Sequence, residues 1–109
     1  MKLVIAIVHD EDARFLVDEL TASKFKVTKL ASTGGFLKAG NTTLFIGIDN
    51  SQVDLVMEII KNNCETRKQI VTAQPPVTGA PGTFIPYPVE VKVGGATVFV
   101  MDIEKYVKL

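Results

Sequence analysis

Residues 3–8 form an unbroken apolar run, LVIAIV, which predicts a buried strand. The period then changes. In "HDEDARFLVDELTASKF", Ala13, Leu16, Val17 and Leu20 recur at helical spacing behind an acidic first turn, with Asp10 as the expected cap. Residues 25–31 alternate, with Phe25, Val27 and Lys29 on one face and Lys26, Thr28 and Leu30 on the other, which predicts a second strand. Residues 42–48 start the pattern again as a third strand. Ser51 and Asp54 then have the spacing of a capping box, and Val53, Val56, Met57 and Ile60 repeat the helical stripe. Ala13, Leu16, Val17 and Leu20 thus map onto Val53, Val56, Met57 and Ile60 as a repeat of pattern, not of sequence. With Ile70 and Val71 beginning a fourth strand, the order is βαββαβ. That is an α+β, ferredoxin-like arrangement with both helices on one face of an antiparallel sheet, in a single domain over residues 1–109.

Two segments depart from this repeat. Residues 72–88, "TAQPPVTGAPGTFIPYP", hold all five prolines, and a residue without an amide proton is excluded from central strands. A loop of this length inside a small domain is usually functional or disordered. Val89, Val91 and Val93 then alternate with Glu90 and Lys92, and Gly94-Gly95 predicts a tight hairpin turn before the apolar run 96–103. This hairpin is an addition to the basic fold. Helices on one sheet face leave the other open, carrying residues such as Val27, Phe45 or Phe99 according to register. An apolar patch of that size on a soluble chain predicts an oligomer, and a closed symmetric ring satisfies it.

Composition narrows the function. Twelve basic residues balance twelve acidic ones, so the basic surplus of a DNA or RNA binder is missing. No apolar run approaches the ~20 residues of a membrane span, and acidic residues follow the first strand where a signal peptide needs small ones. The chain is therefore expected to start at or near Met1 and to work in the cytoplasm, without membrane insertion. A single Cys, Cys64, and a single His, His9, offer no metal-ligand spacing and no assembled catalytic arrangement. No catalytic residue, metal or cofactor is expected. Cys64 reads as a structural thiol at a helix end.

The segment "STGGFLKAGNTT" over 32–43 carries the one phosphate-like spacing, with Gly35 and Gly40 set as in a P-loop. Asn41 stands where that motif needs Lys, and a strand follows where it needs a helix, which excludes a Mg-dependent NTPase. Gly34 and Gly35 fit either a plain hairpin connection or a backbone nest for an anion. Lys24, Lys26 and Lys29 likewise fit either a solvated strand face or charge neutralisation for a phosphate.

The strings "TKLASTGGFLKAGNTTLFIG" and "IPYPVEVKVGGATVFV", the "IAIV" start and the long Pro/Gly loop resemble, end to end, the PstA family, also called DarA. These are PII-like receptor proteins for cyclic di-AMP. The resemblance implies a homotrimer with the nucleotide in three intersubunit clefts, a short T-loop at 33–41 and an enlarged B-loop at 72–88. It implies signal transduction without enzymatic activity, through a downstream protein that it does not identify. Carried across by position, it implies that Thr28 faces the nucleotide, that Gly35, Phe36 and Leu37 wrap an adenine and its phosphate, and that Asn41 reads an adenine edge. Gly47 becomes a point of close approach and Phe99 an apolar wall. Lys26 stands where the family often has Arg, keeping the charge but losing the bidentate fork. Lys24 stands where an Asn can occur. Two other classes fit the same elements. One is a PII-type sensor of ATP or ADP with 2-oxoglutarate, which needs a richer basic set than Arg14, Arg67 and scattered lysines. The other is a small acylphosphatase-like hydrolase, which needs an Arg near the Gly-rich turn.

Overall fold

The computed structural model describes residues 1–30, 40–73 and 87–109. The elements run β1 (Lys2–His9), α1 (Asp10–Ala22), β2 (Val27–Leu30), β3 (Asn41–Ile48), a 3-10 turn (Asn50–Gln52), α2 (Val53–Cys64), β4 (Arg67–Ala73), β5 (Tyr87–Val93) and β6 (Ala96–Asp102). Strands β2-β3-β1-β6 make one antiparallel sheet, and β4 and β5 make a separate two-stranded ribbon. The result is a mixed α+β architecture of the kind a ferredoxin-like fold has.

Alternation along the strands decides the layering. Val4, Ala6 and Val8 of β1 and Leu44, Ile46 and Ile48 of β3 turn to one side and are buried. They pack against Ala13, Leu16 and Leu20 of α1 and Val56, Ile59, Ile60 and Cys64 of α2. Burying each large side chain of this set contributes roughly 1.5–3 kcal/mol, which is what holds both helices on this side. Among the described residues, no helix covers the opposite face. Direct cross-strand partners share a face, so Thr28, Phe45, Ile5 and Phe99 form one continuous row across it.

The predicted fourth strand is corrected. Ile70 and Val71 lie in β4, which pairs with β5 outside the main sheet, and the place beside β1 is taken by β6. The sequence RKQIVTA mixes polar and apolar residues on both of its faces, whereas ATVFVMD can turn Val98 toward the helices and Phe99 and Met101 away. The Gly94-Gly95 hairpin is corrected with it. Because β5 pairs with β4 and β6 pairs with β1, these glycines, at φ 81° and 99°, link the ribbon to the sheet. Val27 is also corrected: it pairs with Ile46 and packs against the buried core, while Phe45 and Phe99 lie on the uncovered face.

Helix ends differ in detail. His9, not Asp10, occupies the cap position of α1, and the Asp10 carboxylate accepts a hydrogen bond from Thr42 Oγ1. The second helical segment starts from Asp49, whose amide donates to Gln52 Oε1 at 3.2 Å, so Ser51 and Asp54 are not its capping box. In α2 the buried stripe runs through Ile59 and leaves Met57 37% exposed, one position away from the strict repeat. Of the two predicted loops, residues 33–39 and 74–86 lie outside the described residues, so only their bases at Gly40-Asn41, at Thr72-Ala73 and at Tyr87-Pro88 are placed.

Candidate functional site

Among the described residues, the uncovered face carries a hollow at each end. The first, of about 370 Å³, is bounded by Leu3, Lys26, Thr28, Phe45, Gly47 and Tyr106, together with Met1 and Ile103. Thr28 reaches it from β2, Gly47 from β3 and Leu3 from β1, while Lys26 precedes β2 and Tyr106 follows β6. Phe99, 52% exposed, continues the Thr28–Phe45–Ile5 row beside it. Of the sequence-predicted residues, Lys26, Thr28, Gly47 and Phe99 are thus brought to one face.

Gly47 is informative because nothing among the described residues requires a glycine there. A Cβ there would meet only Met1 Cε, at an ordinary 3.6 Å, and its backbone is extended strand. Glycine inside a strand costs roughly 0.5–1 kcal/mol relative to Ala, and often marks a place where a ligand or another backbone comes close.

Lys26 has an ammonium pKa lowered from its usual value, through a side-chain hydrogen bond to Lys108, their mutual repulsion and a smaller desolvation effect. Around these polar groups Leu3 and Phe45 supply an apolar floor. The first hollow can therefore offer a cation, a hydroxyl and a bare backbone to an anion, and apolar surface to a planar ring.

Asn41 lies elsewhere. It pairs with His9 at the opposite end of β3, roughly 20 Å from Gly47 at about 3.4 Å per strand residue. It borders the second hollow, of about 380 Å³, with His9, Thr66, Gly94, Gly95 and Thr97. One chain therefore does not bring Asn41 together with Lys26, Thr28 and Gly47. Gly35, Phe36 and Leu37 lie outside the described residues. Sequence reasoning missed Tyr106, which sits beyond the last strand and belongs to no motif or period. Phe45 was legible only as a residue of the open face.

A third hollow, of about 510 Å³, lies at the ends of α1, α2 and β4 and includes Asp12 and Arg67. Among the described residues no group of three or more His, Cys, Asp or Glu is placed to hold a metal ion. No described helix is long and apolar enough to cross a membrane.

The family model of the cyclic-di-AMP receptor matches residues 1–109, and the chain belongs to that family. The resemblance carried by the Gly-Gly-Phe-Leu segment and the "GGATVFV" strand is thereby confirmed. Among solved structures, a functionally unknown protein from Pediococcus pentosaceus ATCC 25745 is similar at 42% identity, with a TM-score of 0.78 over 99% of this chain and 96% of that one. The family is one of receptors that bind cyclic di-AMP as a ligand.

Proposed function

We propose that this chain is a PII-like sensor which binds cyclic di-AMP between the subunits of a homotrimer and relays binding by rearranging its loops. In this reading residues 1–109 are one PII-like domain, with a T-loop at 33–41 and a B-loop at 72–88. The observation that carries it is the uncovered sheet face: Thr28 and Gly47 meet there beside Lys26, Phe99 shares the face, and among the described residues the glycine has no structural cause.

Apolar residues along that face favour burial against a second copy. Association also resolves the position of Asn41. The ~20 Å that part it from Gly47 within a chain are closed if the two are contributed by neighbouring subunits. The chemistry is complementary. A cyclic dinucleotide has two phosphodiesters for Lys26, the Thr28 hydroxyl and the Gly35 and Gly47 backbone. Its two adenines suit the apolar surfaces of Phe36, Leu37 and Phe99 and the donor–acceptor amide of Asn41. A ligand with only two charges needs no net positive protein. The role is binding and signalling, not catalysis, in the cytoplasm, with a downstream protein as recipient.

Light scattering and a binding titration on wild type and Thr28→Ala test this reading. A trimer mass, with binding weakened by Thr28→Ala and the mass unchanged, is the expected result. A monomer mass of about 12 kDa, taken from the 11.9 kDa chain, that persists with cyclic di-AMP present contradicts it.

A further inference from the structure

The third hollow carries chemistry that the nucleotide reading does not use. Its wall is made by Glu11, Asp12 and Phe15 of α1, by Asn62 of α2, and by Arg67, Lys68 and Gln69 of β4. Both helices pack on the other side of the sheet from the first two hollows, so association through the uncovered face leaves these helix residues outside.

The bonding capacity still open in this wall is negative. Arg67 is engaged by Asp12 at 2.9 Å, and Lys68 by Glu90 at 3.3 Å. Glu11 makes no ion pair and no side-chain hydrogen bond among the described residues. Asp12 is 4% exposed, and its Oδ2 has no partner among the described residues. The macrodipole of α1 favours acidic residues in its first turn, yet it supplies no donor to that oxygen. A charged acceptor buried without a donor is costly, and a donor entering this hollow meets the side chain that lacks one. The Phe15 ring, 65% exposed, borders the same hollow. Carboxylates beside an aromatic face suit an arginine. Its guanidinium forks onto carboxylates and stacks on rings, which the compact lysine ammonium does less well. The exposed amides of Asn62 and Gln69, in the same wall, offer donors and acceptors to the peptide groups flanking such a side chain.

This wall also adjoins the second hollow. Thr66 borders that hollow, and the next residue, Arg67, borders this one. Gly94 and Gly95 border the second hollow too, and the Gly95 amide donates to the Cys64 carbonyl at the end of α2.

We propose that the third hollow docks an arginine side chain of the downstream partner protein, held by Glu11 and Asp12 and stacked on Phe15. The incoming guanidinium shares the Asp12 carboxylate with Arg67. A nucleotide that moves Thr66 therefore alters the partner's site, and by linkage the partner alters nucleotide affinity by the same factor. This deepens the proposed signalling role and rests on it for the downstream protein and for the nucleotide beside Asn41.

The test follows amide chemical shifts of the isotope-labelled full chain during titration with capped Gly-Arg-Gly, Gly-Lys-Gly and Gly-citrulline-Gly peptides, with and without cyclic di-AMP. The arginine peptide is expected to move the amides of Glu11, Asp12 and Phe15 saturably, the lysine peptide to bind more weakly, and the uncharged citrulline peptide not to bind. Glu11→Gln and Phe15→Ala, both at exposed positions outside the core, are each expected to weaken binding about threefold. Cyclic di-AMP is expected to change the arginine peptide's affinity about fivefold or more. No saturable shift at those amides, or equal binding of the citrulline peptide, overturns the docking site. Unchanged affinity in either variant overturns the part given to that residue. Tighter binding of a Gly-Glu-Gly peptide than of Gly-Arg-Gly also overturns the proposal, because the partner's side chain is then acidic. Cyclic di-AMP that binds without changing peptide affinity overturns the link between the two hollows. If cyclic di-AMP does not bind, the sensor reading falls, and the peptide titrations without nucleotide decide the docking site by the same criteria.

Discussion

Arg67 Nη2 sits 2.9 Å from Asp12 Oδ1 and ties the base of the β4–β5 ribbon to the first turn of α1. Asp12 is 4% exposed and its second oxygen has no partner among the described residues, so this guanidinium is the contact that offsets its burial. Arg67→Ala leaves a buried carboxylate uncompensated. The arginine is about half exposed, which screens the pair below the 3–5 kcal/mol of a fully buried one. A loss of about 1–3 kcal/mol in urea unfolding is expected, with faster hydrogen exchange in β4 and β5; an unchanged midpoint would remove the anchoring role.

The ribbon's other attachment is the Gly94–Gly95 link. Gly94 has φ 81°, and a Cβ there would lie 2.7 Å from the Glu65 carbonyl oxygen and 2.5 Å from Arg67 Nη1. The arginine can move, but the carbonyl cannot without shifting the end of α2. Gly94→Ala therefore combines left-handed strain, about 1–2 kcal/mol, with a backbone clash. A melting temperature reduced by several degrees is expected, and one equal to wild type contradicts this placement.

Cys64 is 1% exposed at the end of α2, and burial first, then the Asp12 charge, pushes its thiol up to about 11. Such a thiol is slow to react with disulfide reagents until the chain unfolds. The pH dependence has a definite sign. Below about pH 9 the thiol is protonated in both states; between about 9 and 11 only the unfolded chain releases the proton. Stability should fall across that window by roughly 1.4 kcal/mol per pH unit relative to Cys64→Ala. A difference between the two proteins that stays constant with pH would refute the assignment.

Gly47→Val separates folding from binding. A strand with a β-branched residue is favoured over one with glycine, and among the described residues the Cβ meets only the flexible end of Met1. Thermal stability should hold or rise while cyclic di-AMP binding drops by more than tenfold. Unimpaired binding would place the nucleotide elsewhere.

These placements separate what was legible in the sequence from what was not. Periodicity located β1, β3 and both helices because their buried sides are set by local alternation. It could not assign β4 and β6, since which strand pairs with β1 depends on comparing two distant segments for the same slot. Val98 and Phe99 make β6 the better match. The Met57–Ile59 exchange arose from extending one helix's stripe onto the other, although α2 buries Ile59 and leaves Met57 37% exposed. For the site, the spacing of "STGGFLKAGNTT" favoured a plain hairpin over an anion nest, and the end-to-end resemblance supplied Thr28, Asn41, Gly47 and Phe99. Tyr106 had no local signal at all. It borders the same hollow as Lys26 only through the fold.

Isothermal titration with cyclic di-AMP and cyclic di-GMP tests the central claim most directly. Cyclic di-AMP should bind with about one nucleotide per subunit, as a symmetric ring of equivalent clefts requires. Cyclic di-GMP should bind at least tenfold more weakly, since the two purines present different edges to the Asn41 amide. Equal affinity for the two nucleotides, or no heat with either, would contradict the account.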